Sequence, residues 1–218
     1  MPIKPVRKIG MSRRSITGKR TTQKNTGILQ FESALERDLL TILEFDDTIA
    51  EVGVQPVKIF YEREDGFSTR YTPDVMIKYH QSLDKKPVIY EVKYAAELEE
   101  KKAEYAARFN AAERYASENG YEFKIITEIE IRTDHLWNIK FLSPFRDNDI
   151  QQEYAGMILA CFGHEPKPTP KAILNTVGQQ ISAEVLRTIW ELLAAKLLYC
   201  DLNERINMHT ILWKNQNT

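Results

Sequence analysis

The sequence predicts an α/β protein with a mixed β-sheet, followed by a small C-terminal domain whose elements run in the order of a winged helix. Three observations carry this. Residues 87–94, 95–119 and 121–127 read as strand, helix and strand, and such a unit joins two parallel strands. Residues 50–62 and 67–80 flank the turn signal Glu64-Asp65-Gly66 and read as an antiparallel hairpin. Beyond the proline-rich stretch "GHEPKPTPK" (163–171), two helical segments precede two short strand-like runs.

The elements follow in order. Segment 33–45, "SALERDLLTILEF", places Leu35, Leu39, Leu40, Ile42 and Leu43 at helical spacing behind a Ser33 N-cap. Strand 50–62 contains Gln55-Pro56, which predicts an edge or a bulge because proline cannot donate to a ladder. In 95–119 an apolar stripe runs through Leu98, Tyr105, Phe109, Ala112 and Ala116, and Gly120 marks the stop. Helices are predicted over 147–162, 171–177 and 182–198, and strands over Tyr199–Leu202 and Met208–Trp213. The three tryptophans are assigned to the core.

The 218 residues, 43% hydrophobic, can bury one good core or one core with a small second domain. No run nears the roughly 18 apolar residues of a membrane span, and the N-terminus lacks the apolar stretch of a signal peptide. Cys161 and Cys200 show neither disulfide nor zinc spacing. A cytoplasmic protein without a membrane partner is expected. Net charge is −1, yet residues 1–30 carry eight cations and no acid, leaving −9 on the remainder. That basic arm could neutralise phosphates or be a solvated tail.

The stretch "YTPDVMIKYHQSLDKKPVIYEVKY" (71–94) carries the chemistry. Asp74 opens one strand, and Glu91-Val92-Lys93 closes the next after an interval of 16 residues. Strand alternation puts Glu91 and Lys93 on one face and Val92 on the other. With the two strands adjacent, the carboxylates converge. Carboxylate oxygens suit Mg²⁺, and a neighbouring lysine can act on the attacking water or on developing charge. The same residues could also simply face water at strand ends. Glu36 is a third acid with two readings: the N3 member of a capping box, bonding back to the Ser33 amide, or a further metal ligand.

"FESALERDLLTILEFDDTIAEVGVQP", "YTPDV" and "YEVKY", with "TEIEIR" and "NIKFLSPF" after them, resemble the TnsA family of transposon-end endonucleases. The resemblance implies a restriction-endonuclease-like PD-(D/E)xK core with a mixed sheet over 31–145, behind the basic arm (1–30) and before a winged-helix domain (146–218). It implies Glu36, Asp74, Glu91 and Lys93 as the catalytic set, and Glu36, Asp74, Glu91 and the Val92 carbonyl as ligands of Mg²⁺, for which Mn²⁺ could substitute. Some family members carry glutamine at the position of Glu91. The implied reaction is hydrolysis of the non-transferred strand at transposon 5′ ends during cut-and-paste transposition. The implied partners are transposon-end DNA, the DDE transposase TnsB and the AAA+ ATPase TnsC. Rival readings are another PD-(D/E)xK enzyme, such as a restriction endonuclease or junction resolvase, and a non-catalytic winged-helix adaptor.

Overall fold

The computed structural model describes residues 3–6, 18–21, 24–25, 28–63, 65–163 and 167–214. The chain divides into two compact units, Met1–Arg132 and Thr133–Thr218. The division falls before "NIKFLSPF", not after residue 145, because 134–142 is a helix whose contacts are with the C-terminal unit.

In the first unit, β1 (Gly18–Thr21) and β2 (Ile28–Phe31) form an antiparallel ribbon. Helix α1 (Ala34–Phe45) follows behind the expected Ser33 N-cap and buries Leu35, Leu39, Leu40 and Leu43. Strands β3 (Ile49–Val54), β4 (Ile59–Glu62), β5 (Ser68–Tyr71) and β6 (Val75–Tyr79) come next. Then β7 (Val88–Val92), α2 (Ala95–Glu100), α3 (Lys102–Glu118) and β8 (Glu122–Ile126) make the predicted strand-helix-strand unit. Its helix is broken at Lys101 and stopped at Gly120, whose φ of 73° suits glycine. A short α4 (Glu128–Ile131) closes the unit.

The main sheet has the order β3-β6-β7-β8, antiparallel except for the parallel pair β7/β8, and is therefore mixed. The predicted hairpin is present but broken in two. β3 pairs with β6 and β4 pairs with β5, so the arms diverge between the two ladders. The break has a local cause: Gln55 takes a φ of 48° ahead of Pro56, and Pro73 interrupts the returning arm. β3 is an edge strand, one of the two outcomes expected of the Gln55-Pro56 stretch, although Pro56 itself lies beyond its end. Asp74 sits where the two ladders part, with its carbonyl accepting from the Gln55 amide at 2.9 Å.

Gly53, Met76, Ile89 and Phe123 form one cross-strand row. Ile3 packs with Met76 and Ile89, and lies so close to Gly53 that a Cβ there would meet its Cγ2 at 2.1 Å. The basic arm is therefore anchored at both described ends. Val6 donates to Gln55 O at 2.9 Å, and Val52 donates to Lys24 O at 3.1 Å. Lys24 Nζ donates to the carbonyl of Leu43 at 2.9 Å and to that of Asp46, a cation on the orphan carbonyls of a helix C-terminus. These contacts do not fit a wholly solvated tail. Of the arm's eight cations only Lys4 and Lys24 have described side chains, so the phosphate-contact reading of the others lies outside the described residues.

The second unit holds α5 (Asp134–Leu142), α6 (Gln152–Ala160), α7 (Pro170–Val177) and α8 (Ser182–Ala194) around Ile139, Ile158, Ile173, Ile189 and Leu212. The two expected C-terminal strands reduce to a single bridge, Tyr199 to Trp213. The intervening loop is held by the fully buried Asn138 instead. Its Nδ2 donates to the carbonyls of Leu202 and Glu204, and its Oδ1 accepts from Ile206 N. Of the three tryptophans only Trp190 is buried; Trp137 and Trp213 are exposed. Among the described residues no helix is long and apolar enough to cross a membrane.

Candidate active site

β5 leads through Pro73 into Asp74 at the mouth of β6, and β7 brings Glu91, Val92 and Lys93 alongside. The strands converge as the spacing requires: Asp74 Oδ2 accepts from the Val92 amide at 2.8 Å. Lys93 Nζ stands among the oxygens of all three neighbours. It lies 2.9 Å from Glu91 Oε1, 3.1 Å from Val92 O and 3.9 Å from Asp74 Oδ2.

Two residues that sequence reasoning missed complete the cluster. The Tyr71 hydroxyl donates to Glu91 Oε2 at 2.5 Å, and Arg108 Nη2 lies 3.7 Å from Glu91 Oε1. Tyr71 is buried and edge-on to Phe109. The Arg108 guanidinium stacks 3.8 Å from the Tyr105 ring centre, with two buried nitrogens, Nε and Nη2, lacking hydrogen-bond partners. A signal for Arg108 was present: three residues after Tyr105, it places a charge inside the apolar stripe of α3. Tyr71 carried no such signal, since a tyrosine in a strand beside a helix is ordinary core.

The electrostatics follow from burial. The Glu91 side chain is only 3% exposed, and its carboxylate faces Lys93, Arg108 and the Tyr71 hydroxyl. Burial and then the Glu91 charge push the Asp74 carboxyl well above the usual carboxylate range. Burial opposes the charge on Lys93, but Asp74 and Glu91 outweigh it and raise the ammonium's pKa. Burial and the Glu91 charge hold Tyr71 protonated, as a donor.

Glu36 stands apart from this group. Its amide donates to Ser33 Oγ at 3.1 Å, as a cap requires. Its Oε2 accepts from the Glu32 amide at 2.9 Å, one residue before the partner expected of a capping box. Glu36 is still close enough to raise Asp74 and to feel Lys93. Gln55 lies behind it, donating to Glu32 Oε1 at 3.3 Å.

Among the described residues no three Asp, Glu, His or Cys side chains gather as a metal-holding group. The donor chemistry nevertheless fits a hard divalent cation. Two carboxylates and a main-chain carbonyl already surround a cationic atom, and Mg²⁺ takes few protein oxygens and keeps several waters.

Two family profiles match the chain in tandem: "TnsA-like endonuclease N terminal" over residues 46–128 and "TnsA endonuclease C terminal" over residues 130–202. The chain belongs to the TnsA family. It is thereby a transposition endonuclease, and the TnsA N-terminal match spans Asp74, Glu91, Val92 and Lys93, as well as Tyr71 and Arg108. Glu36 precedes that match. The TnsA profiles meet between residues 128 and 130, close to the structural division after Arg132. No curated protein matches the chain.

Proposed function

We propose that this TnsA protein is a Mg²⁺-dependent endonuclease with a PD-(D/E)xK core, hydrolysing the non-transferred strand at transposon 5′ ends. The observation that carries the reading is the convergence of Asp74, Glu91 and the Val92 carbonyl around the Lys93 ammonium. Those three groups would hold Mg²⁺, with Mn²⁺ as a substitute, and Glu36 would add a fourth. The bound ion would polarise the scissile phosphate and lower the pKa of the attacking water. Lys93 offers its ammonium to the charge that builds on the phosphate. Tyr71 and Arg108 fix the carboxylate of Glu91. The transposase TnsB would cut and join the 3′ ends, and TnsC would be met through the C-terminal unit. That unit's 171–218 segment balances five Lys and Arg against four acids, which favours docking to protein over tracking DNA.

The test is strand-specific cleavage of an end-labelled transposon-end duplex in Mg²⁺, with and without the transposase. Cleavage of the 5′ strand that depends on Mg²⁺ and on the transposase is expected. Efficient cleavage of arbitrary duplex by the chain alone would favour a restriction enzyme or resolvase.

Glu36→Gln separates ligand from cap. The amide oxygen still accepts from the Glu32 amide, so the melting temperature holds, while the site loses a charge. Cleavage should fall about 10-fold or more. Unchanged cleavage would leave the cap as its whole role.

A further inference from the structure

Lys93 occupies the place that the proposed reading gives to the metal. Its ammonium donates to Glu91 Oε1 at 2.9 Å and to Val92 O at 3.1 Å, and faces Asp74 Oδ2 at 3.9 Å. These are the oxygens that would ligate Mg²⁺ at about 2.0–2.1 Å. Oxygens so close to one cation cannot bring a second cation among them without strong repulsion. One must leave, and Lys93 is built to leave. The two side chains are about equally exposed, but the Lys93 ammonium rides on a flexible stem, whereas the Arg108 guanidinium packs against Tyr71, Tyr105 and Phe109. At rest Lys93 and Arg108 already stand beside the Glu91 carboxylate, and Lys93 faces Asp74.

We propose that Lys93 is the resting occupant of the cation position and is exchanged for the divalent ion on binding. The exchange frees the ammonium only once the ion is in place. The lysine therefore reaches the scissile phosphate when the site is loaded and stays bound to Glu91 when it is not. Idle, the nuclease keeps its buried glutamate paired and its lysine withheld. This inference rests on reading Asp74, Glu91 and Val92 as the ligand set.

The test measures metal affinity, not cleavage. Free Mn²⁺ is followed by electron paramagnetic resonance as it is titrated into the full chain without DNA. Lys93→Met keeps the stem but removes the competing charge, and should bind Mn²⁺ at least ~10-fold more tightly than the wild type. Lys93→Arg keeps the charge and should bind no more tightly. Adding Asp74→Asn to Lys93→Met should abolish the gain. Thermal melts check that each variant is folded. Equal or weaker binding by a folded Lys93→Met overturns the exchange while leaving the metal-dependent reading intact, whereas a gain that survives Asp74→Asn overturns the exchange and also removes Asp74 from the ligand set. Absence of Mn²⁺ binding in every variant, wild type included, overturns both.

Discussion

Asp74→Asn is expected to abolish 5′-strand cleavage while the protein stays folded. Asparagine has the shape of aspartate, and its carbonyl can still accept from the Val92 amide that Asp74 Oδ2 now holds at 2.8 Å. What it removes is the charge. An amide is a poor ligand for a hard divalent ion, and without the ion the phosphate loses several kcal/mol of transition-state stabilisation. About 4 kcal/mol is ~10³-fold in rate, so a loss of at least ~10³-fold is expected. The consequence reaches the transposition product. If this chain frees only the 5′ ends, joining of the 3′ ends continues without it and the element remains attached to its donor. Replication then turns simple insertions into cointegrates. Complementing a transposition system with wild-type or Asp74→Asn chain, and sequencing both junctions with long reads, should show simple insertions in the first case and cointegrates in the second. Equal ratios would mean that another nuclease frees the 5′ ends, and that this chain is an adaptor.

The part of the site that a linear reading reaches is the part set by strand geometry. Asp74, Glu91 and Lys93 were legible because a two-residue period fixes which side chains share a face, and because two apolar runs in antiparallel register bring their ends together. The strand-helix-strand unit was legible for a similar reason: an alanine-rich amphipathic helix ending at Gly120 admits few continuations. The ring around Glu91 was not, because it depends on where α3 lands on the sheet and on the β4–β5 ribbon. Tyr71 and Arg108 are 37 positions apart and meet only through that packing. Gln55 shows the opposite failure. Its Gln-Pro pair foretold an irregular edge, but not that the left-handed turn there would split one hairpin into two ladders. In the C-terminal unit two short strands were expected, over Tyr199–Leu202 and Met208–Trp213. Those backbone groups are instead taken up by a single bridge, a turn and the chain around the start of α7, where Lys171 N donates to Met208 O and Leu212 N donates to Pro168 O, and the side chain of the buried Asn138 holds the loop before them. A short apolar run becomes a strand only where a partner strand lies beside it, and here the neighbouring backbone meets it at one bridge alone.

Tyr71→Phe should cut the rate of 5′-strand cleavage by up to ~10²-fold, through Glu91 alone. The ring is core: it is buried, edge-on to Phe109 and under the Arg108 guanidinium, and phenylalanine keeps all of that. Only the hydroxyl goes, and with it the donor to Glu91 Oε2. Oε1 already faces Lys93 and Arg108, so a carboxylate released from Tyr71 turns its free oxygen toward those same two cations. The turn moves Oε1 off the point it shares with Asp74 and the Val92 carbonyl, and it pairs Lys93 more firmly. Groups that orient a metal ligand without touching the metal contribute about 10–100-fold. Stability should fall too, by about 1–3 kcal/mol, for a buried oxygen left without its hydrogen bond. A purely structural tyrosine would show the second effect without the first. The decisive measurement is a double-mutant cycle with Glu91→Ala, which removes the acceptor. If Tyr71 acts through the carboxylate, its loss should cost little more once that carboxylate is gone, giving a coupling energy of about 1 kcal/mol or more, in stability and in the barrier to cleavage. Additive losses of stability, with cleavage by Tyr71→Phe at the wild-type rate, would show that the hydroxyl serves the fold and not the site.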